Sequence, residues 1–487
     1  MGLLGILLAL ALLIGLAYRG WSVLVLAPLA AMVAALLSGE PLLAHWTQTF
    51  MGAAAGFFAQ FFPLFLLGAL FGKLMEDSGS VAAIARFMTG WLGPRRAVLA
   101  VVLAGALLTY GGVSLFVAIF VLVPMGQALF REAGIPNRLM PATVMLGTAT
   151  FTMSALPGTP AIQNAIPMPF FGTTPYAAPG LGLIASAVML AFGLWWLARA
   201  QAAARRSGEG YGAPAGTGEA HAEAVAEDDV VRERASTSRD FDPAEMRRGH
   251  ASDAEPHAVL AMLPLAVVVV VNLLLSLWVL PRLDTAYLAE PRWGGVGLSH
   301  VAGVWSVAVA LLGGSLALVA ANLTRLRGLR ASIGAGANAS VLPVLSVASL
   351  VGFGAVVAAL PAFAQVRQWV LGIEGGPLVG LAVATNVLAA LTGSASGGLT
   401  IALEALGPTY LQLASASGID PALLHRVAVI GSGTLDCLPH NGAVVTLLAV
   451  CGCTHRESYR DVVMTSIVGA LLALVGVIVL GSLLGSF

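Results

Sequence analysis

Long apolar runs separated by short polar or glycine-rich breaks make up most of the chain, and run length is the first signal. A helix that crosses a bilayer needs about 20 apolar residues. Runs of that order lie at 2–18, 21–37, 50–72, 138–172, 180–198, 258–280, 298–321, 338–364, 423–450 and 462–485. The run at 138–172 is too long for one straight crossing. Two further stretches, 97–130 and 376–413, are too long for one crossing and awkward for two. Each is split near its middle by a glycine pair, Gly111-Gly112 and Gly397-Gly398. Their short arms read as re-entrant hairpins, which membrane interiors tolerate only where the backbone is buried in protein or lines a cavity. The pattern predicts an all-α polytopic membrane protein with about ten spanning helices and two re-entrant helical hairpins. The first run, from Gly2, has no positive n-region and no small-x-small cleavage site before Arg19, so it reads as a membrane helix.

Composition removes competing classes. Hydrophobic residues make up 58% of the 487 and charged residues only 10%, against about 25% charged in a soluble domain. Net charge is zero, and no basic aromatic patch points to a nucleic-acid partner. Cys437, Cys451 and Cys453 form neither a disulfide framework nor a zinc spacing with nearby histidines. No metal or cofactor is expected, and membrane lipid is the solvent. Lys73, Arg86, Arg95, Arg96, Arg131 and Arg138 all flank the first hairpin, which the positive-inside rule places on the cytoplasmic face. The chain then brings Arg205-Arg206, Arg325, Arg327, Arg330, Arg456 and Arg460 to the same side, leaving both termini outside an inner membrane. Residues 200–256 are polar and rich in Gly, Ala and Pro, and are expected to form a disordered cytoplasmic linker. They divide a first membrane repeat, 1–199, from a second, 257–487. Glu76 and Asp77, with Ser78 and Ser80, read as a solvated cytoplasmic turn.

The two halves are self-similar. The first reads GGVSLFVAIF from Gly111 and GIPNRLMPATVMLGTATFTMSALPGTPAIQNAI from Gly134. The second reads GGLTIALEAL from Gly397 and GIDPALLHRVAVIGSGTLDCLPHNGAVVTLL from Gly418. Gly111 pairs with Gly397, Gly134 with Gly418, Gly147 with Gly431, and Leu156-Pro157 with Leu438-Pro439. Five spans separate the hairpins, an odd number, so the second copy is expected to be inverted. Inverted repeats with broken helices meeting near the midplane are the architecture of secondary transporters.

Three features could carry chemistry. Each hairpin tip ends where a helical arm begins, so free N–H groups and a positive dipole end can hold an anion without arginine. The residues are Gly111, Gly112 and Ser114 at one tip, and Ser394, Ser396, Gly397, Gly398 and Thr400 at the other; close helix packing is the competing use of the glycines. Two breaks come next. Ser154–Pro160 places two prolines and Gly158 inside one crossing, with Thr159, Gln163 and Asn164 alongside, and Asp436–Gly442 repeats the break with His440 and Asn441. Last are ionisable groups at depth: Asp436, His440 and Glu404 are candidates for proton or cation coupling. There is no HExxH, no GxSxG elbow and no Walker loop, so an enzyme is not expected.

The segments GGVSLFVAIFVLVPMGQALFREAGIP, TFTMSALPGTPAIQNAIP and GTLDCLPHNGAVVTLLAV resemble the gluconate permease family of proton symporters, within the ion transporter superfamily. FGKLMEDSGSVAAIA is similar to that family's segment after its third helix, and the likeness spans most of the chain except 200–256. It implies proton-coupled import of a small hydroxy-carboxylate, an elevator-type mechanism, and a scaffold domain that forms a homodimer. The site then maps onto Ser114, Ser154–Pro160, Ser394–Gly398 and Asp436–Asn441. The first tip, Gly-Gly-Val-Ser-Leu-Phe, differs from sugar-acid permeases, which carry an acidic residue after paired phenylalanines. That departure is closer to a branch carrying short hydroxy-acids such as 3-hydroxybutyrate. Sodium-coupled transport of a di- or tricarboxylate is the alternative within the superfamily, and a channel or exporter pore the alternative outside it.

Overall fold

The computed structural model describes residues 2–19, 21–212, 241–246, 248–252, 254–439 and 441–487; His440 and the middle of the 200–256 segment lie outside them. The described residues are helical, with no strand among them. Lipid offers the backbone no hydrogen bonds, so each apolar run closes its own within a helix. Helices α1 (Gly2–Tyr18) and α2 (Val23–Leu37) pack on each other, followed by the long α3 (Leu42–Asp77) and the short α4 (Ser80–Leu92). Next come α5 (Pro94–Tyr110) and α6 (Leu115–Ala133), and then four pieces, α7 (Met140–Thr148), α8 (Phe151–Ser154), α9 (Ile162–Ala165) and α10 (Pro167–Phe171). The first half closes with α11 (Pro179–Arg206). The second half runs α12 (Ala258–Arg282), α13 (Leu298–Ala321), α14 (Leu329–Ala359), α15 (Phe363–Leu371), α16 (Gly376–Thr392) and α17 (Ala395–Ala416). It ends with α18 (Pro421–Cys437), α19 (Gly442–Cys451) and α20 (His455–Leu484). Among the described residues seven helices are long and apolar enough to cross a membrane, or up to nine if each of two bent pairs is one span, against about ten expected from run length.

One element was not expected from run length. Helix α4 is amphipathic, with Val81, Ile84, Ala85 and Met88 buried and Phe87 and Trp91 exposed. At Gly93-Pro94 the chain bends by 98° into α5, with Gly93 at φ +64°.

Both stretches read as hairpins are helix–turn–helix units whose arms pack together: α5 with α6, and α16 with α17. The first turns at Gly111–Ser114, as expected, with Gly112 at φ +97°. The second turns at Gly393-Ser394, not at Gly397-Gly398, which lie in the first turn of α17. A Cβ on Gly398 would sit 2.3 Å from the Ala389 backbone nitrogen, so this glycine lets the two arms touch. Ser114 and Ser394 each N-cap the outgoing arm of their hairpin, accepting from Phe116 N at 3.3 Å and Gly397 N at 3.1 Å. Gly147 and Gly431 press onto the incoming arm of their own hairpin, with Cβ positions 2.4 Å from Val102 O and from Thr385 Oγ1.

The ends of the 200–256 segment are ordered, where a disordered linker was expected. Helix α11 continues to Arg206, and Glu209 pairs with Arg138 at 2.7 Å. That hydrogen bond holds the Glu209 carboxyl below its ordinary range. The described residues among 241–256 form a strap across the ends of α3 and α4, with Met246 O, Ser252 N and Glu255 reaching Lys73, Asp77 and Arg86. Glu76 and Asp77 are correspondingly not a solvated turn: Lys73 and Asp77 are each 1% exposed and 3.0 Å apart, and Lys73 also reaches Glu76. Two buried opposite charges are tolerated because they pair and because the strap satisfies their remaining groups.

Gly398→Ala is expected to cost about 1–3 kcal/mol, because its methyl meets backbone that cannot swing away. Gly334→Ala, where a Cβ meets nothing within 4 Å, is expected to leave stability level or slightly raised. Thermal unfolding of the two variants in detergent checks the contrast.

Candidate functional site

The two broken helices exchange their second halves. Helices α9 and α10 of the first half pack against α17 and α18 of the second, while α19 of the second packs against α6 and α7 of the first. Each break is thereby enclosed by elements from both halves.

The first break runs from Ala155 to Ala161. Pro157 and Pro160 supply no N–H, and Gly158 adopts φ +78° with no room for a Cβ, which would lie 2.5 Å from the Tyr176 ring. The carbonyls freed here find side-chain donors. Tyr110 Oη donates to Pro157 O at 2.9 Å, Asn272 Nδ2 to Gly158 O at 2.9 Å, and Asn164 Nδ2 to Thr159 O at 3.1 Å. Arg426 Nη1 reaches Ser154 O at 3.4 Å, while Nε and Nη2 donate to Ala177 O at 3.1 and 2.6 Å. Asn164 Nδ2 also donates to Pro175 O, which fixes its Oδ1 as an acceptor. His425 Nε2, 3.1 Å from that oxygen, is then the donor, and His425 Nδ1 accepts from Thr173 Oγ1 at 2.6 Å.

The second break runs through Leu438 and Pro439 to Asn441. Tyr459 Oη donates to Cys437 O at 3.1 Å, and His455 Nε2 lies 2.9 Å from Pro439 O. Asn441 is the hub. Its Oδ1 caps α19 by accepting from Ala443 N at 2.8 Å. Its Nδ2 donates to Asp436 Oδ1 at 2.8 Å and to Gly393 O at the second hairpin tip at 2.9 Å. Asp436 is 1% exposed. Ser394 and Ser396 hydroxyls lie 3.3 Å apart at the same tip.

The expected site residues therefore fall into groups. Gly112, Ser114 and Gln163 line one cavity together with Thr109, Thr148 and Phe241. Asp436, Asn441, Ser394 and Ser396 meet at the second tip. Ser154, Gly158, Thr159 and Asn164 serve the internal bonding of the first break. Others lie apart from these groups. Gly111 is close-packed, its Cβ position filled by Leu265 of α12. Thr400 donates to Ser396 O within α17 at 2.7 Å, Gly397 and Gly398 pack the hairpin, and Glu404 lies on α17 ten residues beyond Ser394, about 15 Å along the axis. His440 lies outside the described residues. Among the described residues no three His, Cys, Asp or Glu side chains converge as metal ligands would.

Sequence reasoning missed Tyr110, Asn272, His425 and Arg426 as partners of the first break. Arg426, in the second turn of α18, is fully buried with carbonyl and amide oxygens as its partners. The available signal was an arginine more than one turn inside an apolar helix.

Apolar spans enclosing two capped helix breaks define a polytopic membrane protein. The fold is similar to that of a solved transporter, Neisseria gonorrhoeae MtrF, described as illuminating a class of antimetabolite efflux pumps. The TM-score is 0.54 at 14% identity, covering 91% of this chain and 85% of that one. A structure of the Alcanivorax borkumensis YdaH transporter aligns with TM-score 0.47 at 18% identity, over 90% of this chain and 87% of that one. Residues 1–169 match the family described as GntP family permease. The whole chain is 42% identical over 493 residues to the uncharacterized transporter YxjC of Bacillus subtilis (strain 168), covering 100% of each. The chain belongs to the GntP permease family.

Arg426→Met is expected to orphan the Ala177 and Ser154 carbonyls, at about 1–3 kcal/mol for each buried group left unpaired. Arg426→Lys keeps the charge but cannot reach both carbonyls with a planar fork, so it recovers only part. Thermal stability in detergent, measured for both, should fall in the order wild type, Lys, Met.

Proposed function

We propose that this protein is a secondary active transporter that imports a small hydroxy-carboxylate together with a proton. The observation that carries the reading is the wiring of Asp436. One amide, Asn441 Nδ2, bonds the buried carboxylate and the Gly393 carbonyl at the second hairpin tip, while the same side chain caps α19. A proton on Asp436 changes what that amide can hold, so the charge state of the acid is coupled to the geometry of the tip. An acid at this depth is costly to keep charged, which favours a group that exchanges its proton during the cycle. The outgoing arms α6 and α17 begin at Ser114 and Ser394, and their N-terminal N–H groups suit a carboxylate. Thr109, Thr148 and Gln163 beside the first tip supply partners for a substrate hydroxyl.

In this reading the matched local geometry of the halves reflects an inverted repeat, with hairpins that enter and leave on one side. The hairpins and breaks move together as an elevator against a dimeric scaffold in the inner membrane. The termini lie outside and the strap side is cytoplasmic. Capping of the break carbonyls by side chains leaves few of them to ligate sodium, which favours the proton over the sodium-coupled alternative.

Uptake into proteoliposomes of gluconate, 3-hydroxybutyrate, lactate, citrate and succinate tests this. Saturable accumulation of a hydroxy-acid driven by a pH gradient is expected. Accumulation driven only by sodium would replace the proton, and unsaturable conductance would point to a pore. Asp436→Asn is expected to abolish gradient-driven accumulation while counterflow exchange persists. Wild-type accumulation in that variant would remove Asp436 from the coupling.

A further inference from the structure

Helices α5 and α11 meet along a groove that lies apart from both breaks. On α5 it is lined by Arg95 and Arg96 at the start of the helix and by Val98 and Leu99 just after them. On α11 it is lined by Leu194, Ala198 and Gln201, which recur at the i, i+4, i+7 spacing of one helix face. Arg138, just past the end of α6, pairs with Glu209, just past the end of α11. Since α5 and α6 are the two arms of one hairpin, α5 starts at the level where α11 ends. Polarity therefore falls in the same direction along both walls. Two guanidiniums and an amide stand at the outer end. The aliphatic side chains lie below them, with Leu194 about 10 Å from Gln201 along the axis.

The outer end of the groove is at the level of a bilayer surface. Helix α4 turns into α5 through 98°, so it lies across the direction of the spans. It exposes Phe87 and Trp91, whose rings stack with centroids 6.5 Å apart, and Trp195 is exposed on α11 next to Leu194. Exposed tryptophan rings gather at membrane–water boundaries, where one ring meets both phases. The arginines are thus at headgroup depth and the aliphatic walls at acyl depth.

The chemistry of the walls selects the occupant. Arg95 and Arg96 are exposed, and among the described residues neither has a carboxylate within 4 Å, whereas Arg86 and Arg138, which flank the same hairpin, pair with Glu255 and Glu209. A planar guanidinium matches the paired oxygens of a phosphodiester. Two guanidiniums without an acid favour a headgroup of net negative charge over a zwitterionic one, whose ammonium they repel. A free phosphate would use the arginines and leave the aliphatic walls idle; an amphiphile uses both.

We propose that the groove between α5 and α11 is a binding site for an anionic phospholipid, its phosphodiester held by Arg95 and Arg96 and an acyl chain laid along Val98, Leu99, Leu194 and Ala198. The bound lipid joins the incoming arm of the first hairpin to α11.

Native mass spectrometry of the full chain in detergent, titrated with dioleoyl phosphatidylglycerol or dioleoyl phosphatidylcholine, tests the site without any transport substrate. Wild type should bind phosphatidylglycerol roughly tenfold or more tightly than phosphatidylcholine. R95Q/R96Q should remove that preference, whereas R327Q/R330Q, which deletes two exposed arginines outside the groove, should keep it. Ala198→Trp, which fills the aliphatic part of the groove and keeps both charges, should weaken phosphatidylglycerol roughly tenfold. No preference in wild type, a preference retained in R95Q/R96Q, or an equal loss in R327Q/R330Q would overturn the site. Full competition by inorganic phosphate, or undiminished binding in Ala198→Trp, would reveal an anion site without a lipid and overturn it too. Thermal unfolding separates lost binding from misfolding. Without lipid, R95Q/R96Q should unfold with wild type. Phosphatidylglycerol should then raise the midpoint of wild type and of R327Q/R330Q but not that of R95Q/R96Q.

Discussion

Backbone polar groups released by a helix break at membrane depth have no water to turn to, and this requirement governs the architecture. At the first break the carbonyls of Ser154, Pro157, Gly158 and Thr159 accept from Arg426, Tyr110, Asn272 and Asn164. These donors sit on four different stretches of chain, two of them beyond residue 257. At the second break, Tyr459 and His455 serve Cys437 and Pro439. Tertiary structure around the breaks is therefore a list of obligations. Moving any of these helices independently would leave a buried carbonyl unpaired, at about 1–3 kcal/mol each.

The same accounting separates the chemistry of the two copies. At the first break the Arg426 guanidinium is bonded to carbonyl and amide oxygens. At the second the Asp436 carboxyl is held through Asn441. Two breaks of similar backbone shape are therefore served by different side-chain chemistry, a buried cation beside one and a buried acid beside the other.

Much of this was legible in the sequence. Run length marked out an all-helical membrane protein, though among the described residues seven to nine helices rather than ten are long enough to cross a membrane, and proline with glycine inside an apolar run located both breaks, because those residues act through the local backbone. Ser114 and Ser394 were picked out for the same reason. Gly397-Gly398 misled because glycine serves turns and close contacts alike, and only the position of Ala389 shows which use applies. Glu76 and Asp77 looked solvated because nothing near them in sequence announces a strap arriving from 241–256. Arg426 looked interfacial because its partners, Ser154 and Ala177, are remote in sequence. Helix α4 went unread because a short amphipathic helix has no run to measure. For Glu76, Asp77 and Arg426 the missing information was a long-range contact, which a single sequence does not encode locally.

The cross-packing of the breaks also sets an order of events during synthesis. Arg426 stands 272 residues after Ser154. At translation rates of roughly 5–20 residues per second, the first break exists for on the order of 15 to 50 s before this donor has been made. For that interval the first half lacks the guanidinium that later closes its carbonyls, so it cannot reach its final form in the bilayer alone. The second half arrives as the component that completes the first.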